Sequence, residues 1–199
     1  MAEIVKLPDP QKEFDFPLMK ALEHRRSKRK WSDEQLSDQE LSNVLWAACG
    51  ITKEGTKKTK SKRTAPSACN SQSIKIYVVL ENGFFLYDEV NHSLVKLGSK
   101  DIRKDIASQK MMHSAPLGLI YVSDYEKMSN FLFRNDEIKW FFAGTDAAYI
   151  SQNVYLYCAS ANLNTVVLAL VKREKLQEVM GLKNHEKVVF TQVVGKSLE

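Results

Sequence analysis

Apolar and polar residues alternate with a period of two along residues 74–80, which predicts a β-strand. One face carries Ile74, Ile76, Val78 and Leu80, and the other carries Lys75, Tyr77 and Val79. Asn82-Gly83 follows and predicts a hairpin turn, because both residues tolerate positive φ. Residues 84–87 then form a return strand, Asn91-His92 a second turn and residues 94–97 a third strand. The pattern therefore predicts an antiparallel meander.

A period of three to four residues predicts two helices before this meander. Pro17 suits the first turn of a helix that reaches about residue 26, because its missing N–H is not needed there. The sequence Ser-Asp-Gln-Glu at residues 37–40 is a capping box, and Gly50 marks the end of the helix that follows it. This second helix has one apolar stripe, formed by Leu41, Val44, Leu45 and Ala48.

The longest predicted helix covers residues 143–163 and is apolar on nearly all sides. One side carries Ala147, Ile150, Val154, Cys158 and Ala161, and much of the remainder carries Ala148, Tyr155, Leu156 and Ala159. A helix of this kind is buried, either in the core or against a partner subunit.

The remaining segments complete an α+β pattern, in which helices flank a mostly antiparallel central sheet. They are an extended N-terminal arm (1–16), a helix (101–112), a buried strand (117–122), an apolar run (165–171), a helix (173–180) and a strand (187–195). A chain of 199 residues suffices for one well-formed core, so we expect a single domain over residues 1–199.

Net charge and hydropathy limit the classes of partner that the chain is expected to have. The net charge is +5, and much of the excess lies in residues 53–63 (KEGTKKTKSKR), which predict a solvated loop. This run has no aromatic residues for base stacking, so we expect no nucleic-acid partner. No apolar run reaches the ~20 residues of a membrane span. The N-terminus has no apolar signal core, so a cytoplasmic location is the default expectation, with a removed leader as the alternative.

Several classes of site are disfavoured by what the chain lacks. It has no G-x-G-x-x-G or Walker motif, which argues against Rossmann and P-loop enzymes. Its four histidines and three cysteines are scattered, so we expect no metal site. Cys49 and Cys158 are expected in the core, and Cys69 is interpreted as a packed turn residue, with a ligand-facing residue as the alternative.

Two short motifs carry candidate chemistry. Arg25, Arg26, Ser27 and Arg29 offer guanidinium and hydroxyl donors to a phosphate, although they also suit a solvated helix terminus. The second motif, residues 66–72, is a proline turn of small residues with amides at Asn70 and Gln72. Such amides match the alternating N–H and C=O edge of a flavin pyrimidine, and such a sequence is also an ordinary loop.

Together these motifs resemble the flavin-binding elements of the FMN-dependent nitroreductase family. The resemblance extends from about residue 17 to residue 195 and includes RRSKRKW, LSNVLWAACGI, RTAPSACNSQ, IKIYVV, GFFLYD, DAAYISQNVYLYCASANL and VVG. It is closest to a short branch that also contains relatives of the azoline-forming dehydrogenases of modified peptides.

The resemblance implies an intertwined homodimer with FMN between its subunits. The implied ligands of the FMN phosphate and ribityl chain are Arg25, Arg26, Ser27 and Arg29, with Lys196 as a further phosphate ligand. The turn that borders the ring from the other subunit is implied to comprise Pro66, Ser67, Ala68, Asn70 and Gln72. The backbone beside flavin N5 corresponds to Val167, Leu168 and Ala169, where Ala169-Leu170 replaces the glycine-containing turn of many relatives.

The implied activity is a ping-pong oxidoreductase cycle, in which NADH or NADPH donates electrons and a nitroaromatic, quinone or similar small molecule accepts them. The flavin carries the chemistry, so no catalytic side chain is expected. Aromatic residues within 131–142 are expected either to shape the acceptor pocket or to lie in the core. Three alternatives remain open, namely an azoline-type peptide dehydrogenase, a non-catalytic module whose basic loop binds an acidic partner, and a purely structural domain.

Overall fold

The computed structural model describes residues 3–106, 113–129 and 131–198. Within these ranges the strands are β1 (Ile4–Lys6), β2 (Ile51–Lys53), β3 (Lys62–Arg63), β4 (Ile74–Leu80), β5 (Gly83–Asp88), β6 (Ser93–Gly98), β7 (Leu117–Asp124), β8 (Leu163–Leu168) and β9 (Glu186–Lys196). The helices are α1 (Leu18–His24), α2 (Asp38–Cys49), α3 (Arg103–Ile106), α4 (Asp136–Ser160) and α5 (Arg173–Val179). Of the predicted helix over residues 101–112, positions 107–112 lie outside the described ranges.

Seven strands of the described chain form one antiparallel sheet in the order β1-β6-β5-β4-β7-β9-β8. The predicted α+β architecture and the β4–β6 meander are therefore confirmed. The first hairpin turn is one residue earlier than predicted, because Leu80 pairs with Gly83 and leaves Glu81 and Asn82 as the turn. Gly83 opens β5 with φ 141°, and a Cβ at this position would collide with the Gly98 carbonyl.

Both faces of the sheet are covered. In β4, Ile74, Ile76 and Val78 pack into one apolar cluster, while Tyr77 and Val79 pack into a second cluster on the other face. The first cluster includes residues of α2 and α4, and the second includes Leu176 and Met180 at α5. Both faces are buried because the strand lies at the centre of a sheet with helices on either side.

The helix α2 begins as its sequence predicts. Glu40 N–H donates to Ser37 Oγ at 3.2 Å, and Ser37 N–H donates to a Glu40 carboxylate oxygen at 2.7 Å. These reciprocal bonds satisfy two backbone donors that the first helical turn leaves without a partner. The helix ends at Gly50, and its buried residues include all four of the predicted stripe.

The helix α4 is longer than predicted and is buried on one face within the chain. It begins seven residues before residue 143, because Asn135 Oδ1 accepts the N–H of Ile138 at 2.9 Å and caps its first turn. Ala147, Ile150, Val154 and Cys158 face the core. Tyr149 is 50% exposed and Phe141 is 64% exposed, so the opposite face lacks cover from the described chain.

Two segments predicted to be extended or irregular form strands. The N-terminal arm includes β1, which pairs with β6 at one edge of the sheet. The predicted loop over residues 53–63 is a β-hairpin, in which β2 and β3 pair and Thr56 bridges to Thr59. Its lysine-rich composition hid these strands, because lysine is not a strand-forming residue.

Candidate functional site

The first predicted motif follows α1 directly. Arg26 Nη1 donates to the Glu23 and Arg25 carbonyls, each at 2.8 Å, so its guanidinium also closes the end of α1. The Arg25 guanidinium lies over the Tyr155 ring, 5.5 Å from its centroid. Arg26, Ser27 and Arg29 are exposed. The motif is therefore a cationic surface next to one aromatic ring of α4.

Tyr155 links this motif to the backbone of Val167, which the resemblance places beside flavin N5. Its hydroxyl is 3.0 Å from Ser27 Oγ and accepts the N–H of Val167 at 3.0 Å. Lys28 N–H donates to the Thr165 carbonyl at 3.1 Å, which attaches the motif to β8 a second time. Tyr155 was predicted only as part of an apolar helix, and no local pattern distinguishes it.

A cavity of about 450 Å³ opens beside these groups. Its lining includes Arg26, Lys28, Tyr155 and Thr165, with Glu23 as an acidic member. Two cations, with a hydroxyl pair at the edge, are the donors that a phosphate prefers. The donor set therefore fits the phosphate of a mononucleotide such as FMN.

The second motif is a tight turn held by its own polar groups. Cys69, Asn70 and Gln72 adopt positive φ of 51°, 51° and 55°. Gln72 N–H donates to Ser67 Oγ at 3.1 Å, and Gln72 Nε2 donates to the Ser61 carbonyl at 2.6 Å. Left-handed backbone is unusual for cysteine and glutamine, so side-chain bonds are needed to maintain this conformation. Pro66 and Cys69 are exposed.

The carboxylate of Asp146 in α4 accepts a hydrogen bond from the backbone of this turn. Ala68 N–H donates to the two carboxylate oxygens at 3.0 and 3.3 Å. Asp146 is 1% exposed, and burial raises its pKa to about 6 although the Ala68 bond lowers it. The sequence analysis missed this residue, whose only signal is an acid within an otherwise apolar helical pattern.

The structure brings Arg25 and Ser27 to Val167, and it holds the Pro66 turn elsewhere on α4. Tyr155 and Asp146 are nine positions apart. This separation corresponds to about 14 Å along a helix axis. One chain therefore attaches the two motifs at separate points of the same helix.

The other predicted site residues have mixed surroundings. Leu168 is buried in the second apolar cluster, whereas Ala169 is exposed and its carbonyl accepts the N–H of Val171 at 2.9 Å. Lys196 Nζ lies 3.0 Å from a Glu34 oxygen and 3.9 Å from a Glu40 oxygen. These contacts raise the pKa of Lys196 and give its ammonium acidic partners rather than leaving it directed at a phosphate.

One acidic cluster lies outside this site. Ligand atoms of Asp124, Glu126 and His185 lie within 4.8 Å of one another. Lys75 Nζ is 2.8 Å from an Asp124 oxygen and 2.8 Å from a Glu186 oxygen. The cluster therefore already contains a cation, which is the ammonium group of Lys75.

Comparisons with known proteins agree on one family. The Nitroreductase family profile matches residues 22–196. A Methanocaldococcus jannaschii protein described as a nitroreductase is 26% identical over 98% of this chain and 97% of its own length. A Ralstonia eutropha JMP134 structure described in the same way is 32% identical, with a TM-score of 0.88 over 98% of this chain and 90% of that one.

A more distant structure shares the fold. It is the NADPH:FMN oxidoreductase of Vibrio harveyi in complex with NAD+, which is 17% identical with a TM-score of 0.66 over 92% of this chain and 69% of that one. The chain thus has the fold of nitroreductase-like oxidoreductases, and it belongs to the nitroreductase family. No helix in the described residues has the length and hydropathy that crossing a membrane requires.

Proposed function

We propose that this protein is an FMN-dependent oxidoreductase that takes electrons from NADH or NADPH and reduces nitroaromatic, quinone or similar electron-poor molecules. The observation that carries the proposal is the Tyr155 hydroxyl, which contacts both Ser27 Oγ and Val167 N–H at the edge of a cationic cavity. The flavin oxidoreductase from Vibrio harveyi supports the same class of cofactor and donor.

The residues of this chain bind and orient the cofactor. Arg25, Arg26 and Arg29 neutralise the phosphate, while Ser27 contributes a hydroxyl that Tyr155 positions. The Pro66 turn, held by Asp146, borders the ring from the partner subunit. FMN supplies the electron transfer when bound, and the protein tunes it and excludes competing reactions.

The homodimer belongs to this proposal, because the resemblance to the family implies FMN bound between two subunits. Leu18 of α1 is 63% exposed and borders an open groove of about 510 Å³ that Asn153 and Leu156 of α4 also line. Exposed apolar surface along two neighbouring helices suits an isologous interface, the commonest kind in soluble oligomers.

The proposal is tested by flavin content. We expect the purified protein to be yellow, or to become yellow with FMN, and to oxidise NADH or NADPH. Arg25→Ala with Ser27→Ala should lose FMN and keep its circular dichroism spectrum, because these side chains are at the surface. Lys104→Ala, which removes an exposed lysine of α3, should retain the flavin. Stoichiometric FMN in the double variant would contradict the assignment.

A second variant removes one oxygen atom. Tyr155→Phe should weaken FMN binding about fivefold, because it removes the hydrogen bonds to Ser27 and Val167. Tyr149→Phe on the half-exposed side of the same helix is the matched control and should bind FMN normally. A colourless protein that ignores added FMN and oxidises neither dinucleotide would favour a non-catalytic binding module.

A further inference from the structure

The positive charge of the chain is concentrated in one short segment, residues 53–63. It contains five lysines and one arginine against one glutamate, which is a formal charge of +5. The whole chain also has a net charge of +5, so the remaining residues sum to neutrality. Folding does not explain why the positive charge is concentrated here, because residues 53–63 contribute little to the apolar core.

The segment, which we call the basic hairpin, is ordered by its own backbone. Thr56 and Thr59 exchange N–H···O bonds of 2.9 and 3.2 Å, and Lys57 and Lys58 lie between them at the exposed tip. Lys62 at the base of the hairpin is exposed as well. The structure therefore presents ammonium groups on a defined β-hairpin.

The basic hairpin is bonded to the turn predicted to border the flavin. Lys60 Nζ donates to the Ser71 carbonyl at 3.0 Å, and the Ser61 carbonyl accepts Gln72 Nε2 at 2.6 Å. Lys127 Nζ also approaches the Gln72 carbonyl, at 3.4 Å. These contacts attach the basic hairpin to the turn. In the proposed dimer, the hairpin therefore lies next to the flavin site of the partner subunit.

Most of this charge has no counter-ion within the part of the chain that the structure describes. Arg63 pairs with Glu89 and Lys60 is bonded to the turn. Among the described residues, the other four lysines of the hairpin (Lys53, Lys57, Lys58 and Lys62) form no ion pair with a carboxylate within 4.0 Å. Unpaired cations near a site attract anionic reactants to it.

We propose that the basic hairpin binds the 2′-phosphate of the electron donor and so makes the 2′-phosphorylated dinucleotide, NADPH, the preferred donor. This inference rests on the proposed function, in which a nicotinamide dinucleotide is the anionic reactant at the flavin. A 2′-phosphate adds about −1.5 to −2 charge to a dinucleotide, so it gains most from flexible lysines. The absence of aromatic residues from residues 53–63 disfavours single-stranded nucleic acid as the occupant.

The test compares Lys57→Gln with Lys58→Gln in one variant against a control with Lys100→Gln and Lys104→Gln. The control removes the same charge at Lys100, before α3, and at Lys104 within it. Ile102 between these lysines packs into the second apolar cluster, whereas Ala65, just after the hairpin, packs into the first. Titration calorimetry of NADP+ and NAD+ measures binding without turnover, and steady-state kinetics of the FMN-loaded protein gives KM for NADPH and NADH. We expect the hairpin variant to raise the Kd of NADP+ and the KM of NADPH about fivefold at low salt. NAD+ and NADH should change less than about twofold, and 0.5 M salt should remove the difference, as expected for screened surface charges.

The outcomes are distinguishable. Unchanged NADP+ binding in the hairpin variant, or equal weakening of NADP+ and NAD+, would overturn this inference while leaving the proposed function intact. A protein that binds FMN and oxidises neither dinucleotide would overturn the proposed donor, and the NADP+ titration would still decide whether the hairpin binds the 2′-phosphate. Circular dichroism confirms that each variant is folded.

Discussion

Asp146 is a carboxyl group on the buried face of α4, and it accepts the N–H of Ala68. Burial raises its pKa from 3.8 to about 6, because the ionised form loses hydration that one backbone donor does not replace. Holding the Pro66 turn therefore has an energetic cost near neutral pH, where the carboxyl group is ionised. Ionisable groups whose pKa is shifted by burial in this way are common at functional sites.

Asp146→Asn should remove this pH dependence. Because the folded-state pKa is raised, the contribution of Asp146 to stability is fully present below about pH 4 and is lost as the pH rises through about 6. The free energy of unfolding of the parent protein, minus that of the variant, should fall by up to about 3 kcal/mol over this range. Urea unfolding of both proteins at several pH values measures the difference. A constant difference between about pH 4 and pH 7 would contradict the prediction, since asparagine retains the acceptor for Ala68 N–H and does not titrate.

At the scale of single residues, the sequence analysis identified the two motifs but missed the residues of α4 that hydrogen-bond to them. The compositions of the Arg25–Arg29 and Pro66–Gln72 segments suit phosphate and flavin contacts, but they also suit a solvated helix terminus and an ordinary loop, so the flavin-binding interpretation came from the resemblance to the family. Their partners are distant, because Tyr155 is 128 positions from Ser27 and Asp146 is 78 positions from Ala68. Only folding brings such pairs together, so no local pattern identifies them.

At the scale of elements, sequence periodicity succeeded where one physical signal dominates. The capping box located α2, and the alternation of residues 74–80 located β4. Periodicity was less successful for α4, because the first seven residues of this helix include charged and aromatic residues that obscure the apolar stripe. It failed for the basic hairpin, because its strands are held by backbone bonds and contacts to a distant turn.

The Ser37 cap makes a measurable contribution to α2. Ser37→Ala should lower the free energy of unfolding by about 1 kcal/mol and the Tm by about 3 °C, since Glu40 N–H loses its acceptor. Thermal unfolding followed by circular dichroism measures the change. Ser32→Ala is the control, because Ser32 Oγ accepts only a 3.4 Å bond from Glu34 N–H outside a helix. Equal losses in the two variants would show that the cap contributes nothing specific.

At the scale of the whole molecule, α1 and α4 expose apolar residues, which a second copy of the chain covers in the proposed dimer. The sequence indicated this only through the apolar character of α4, and the structure adds Leu18 and Met19, which are 63% and 73% exposed. The predicted single domain over residues 1–199 remains a proposal.

Leu18→Glu should separate the dimer and release FMN, because a carboxylate in an apolar interface is costly when it has no partner. We expect the parent protein to elute as a dimer in size-exclusion chromatography with light scattering, and the variant to shift toward the monomer. Val90→Glu, at a turn residue that is 72% exposed, should remain dimeric. A parent protein that binds FMN as a monomer would refute the shared site.

In the proposed dimer each α4 serves two cofactors, through Tyr155 for one and Asp146 for the other. The helix has 25 residues and would behave as a rod of about 37 Å. The two contacts are nine residues apart on this one helix, about 14 Å along its axis, so a shift of α4 at one cofactor would also move the group that serves the other.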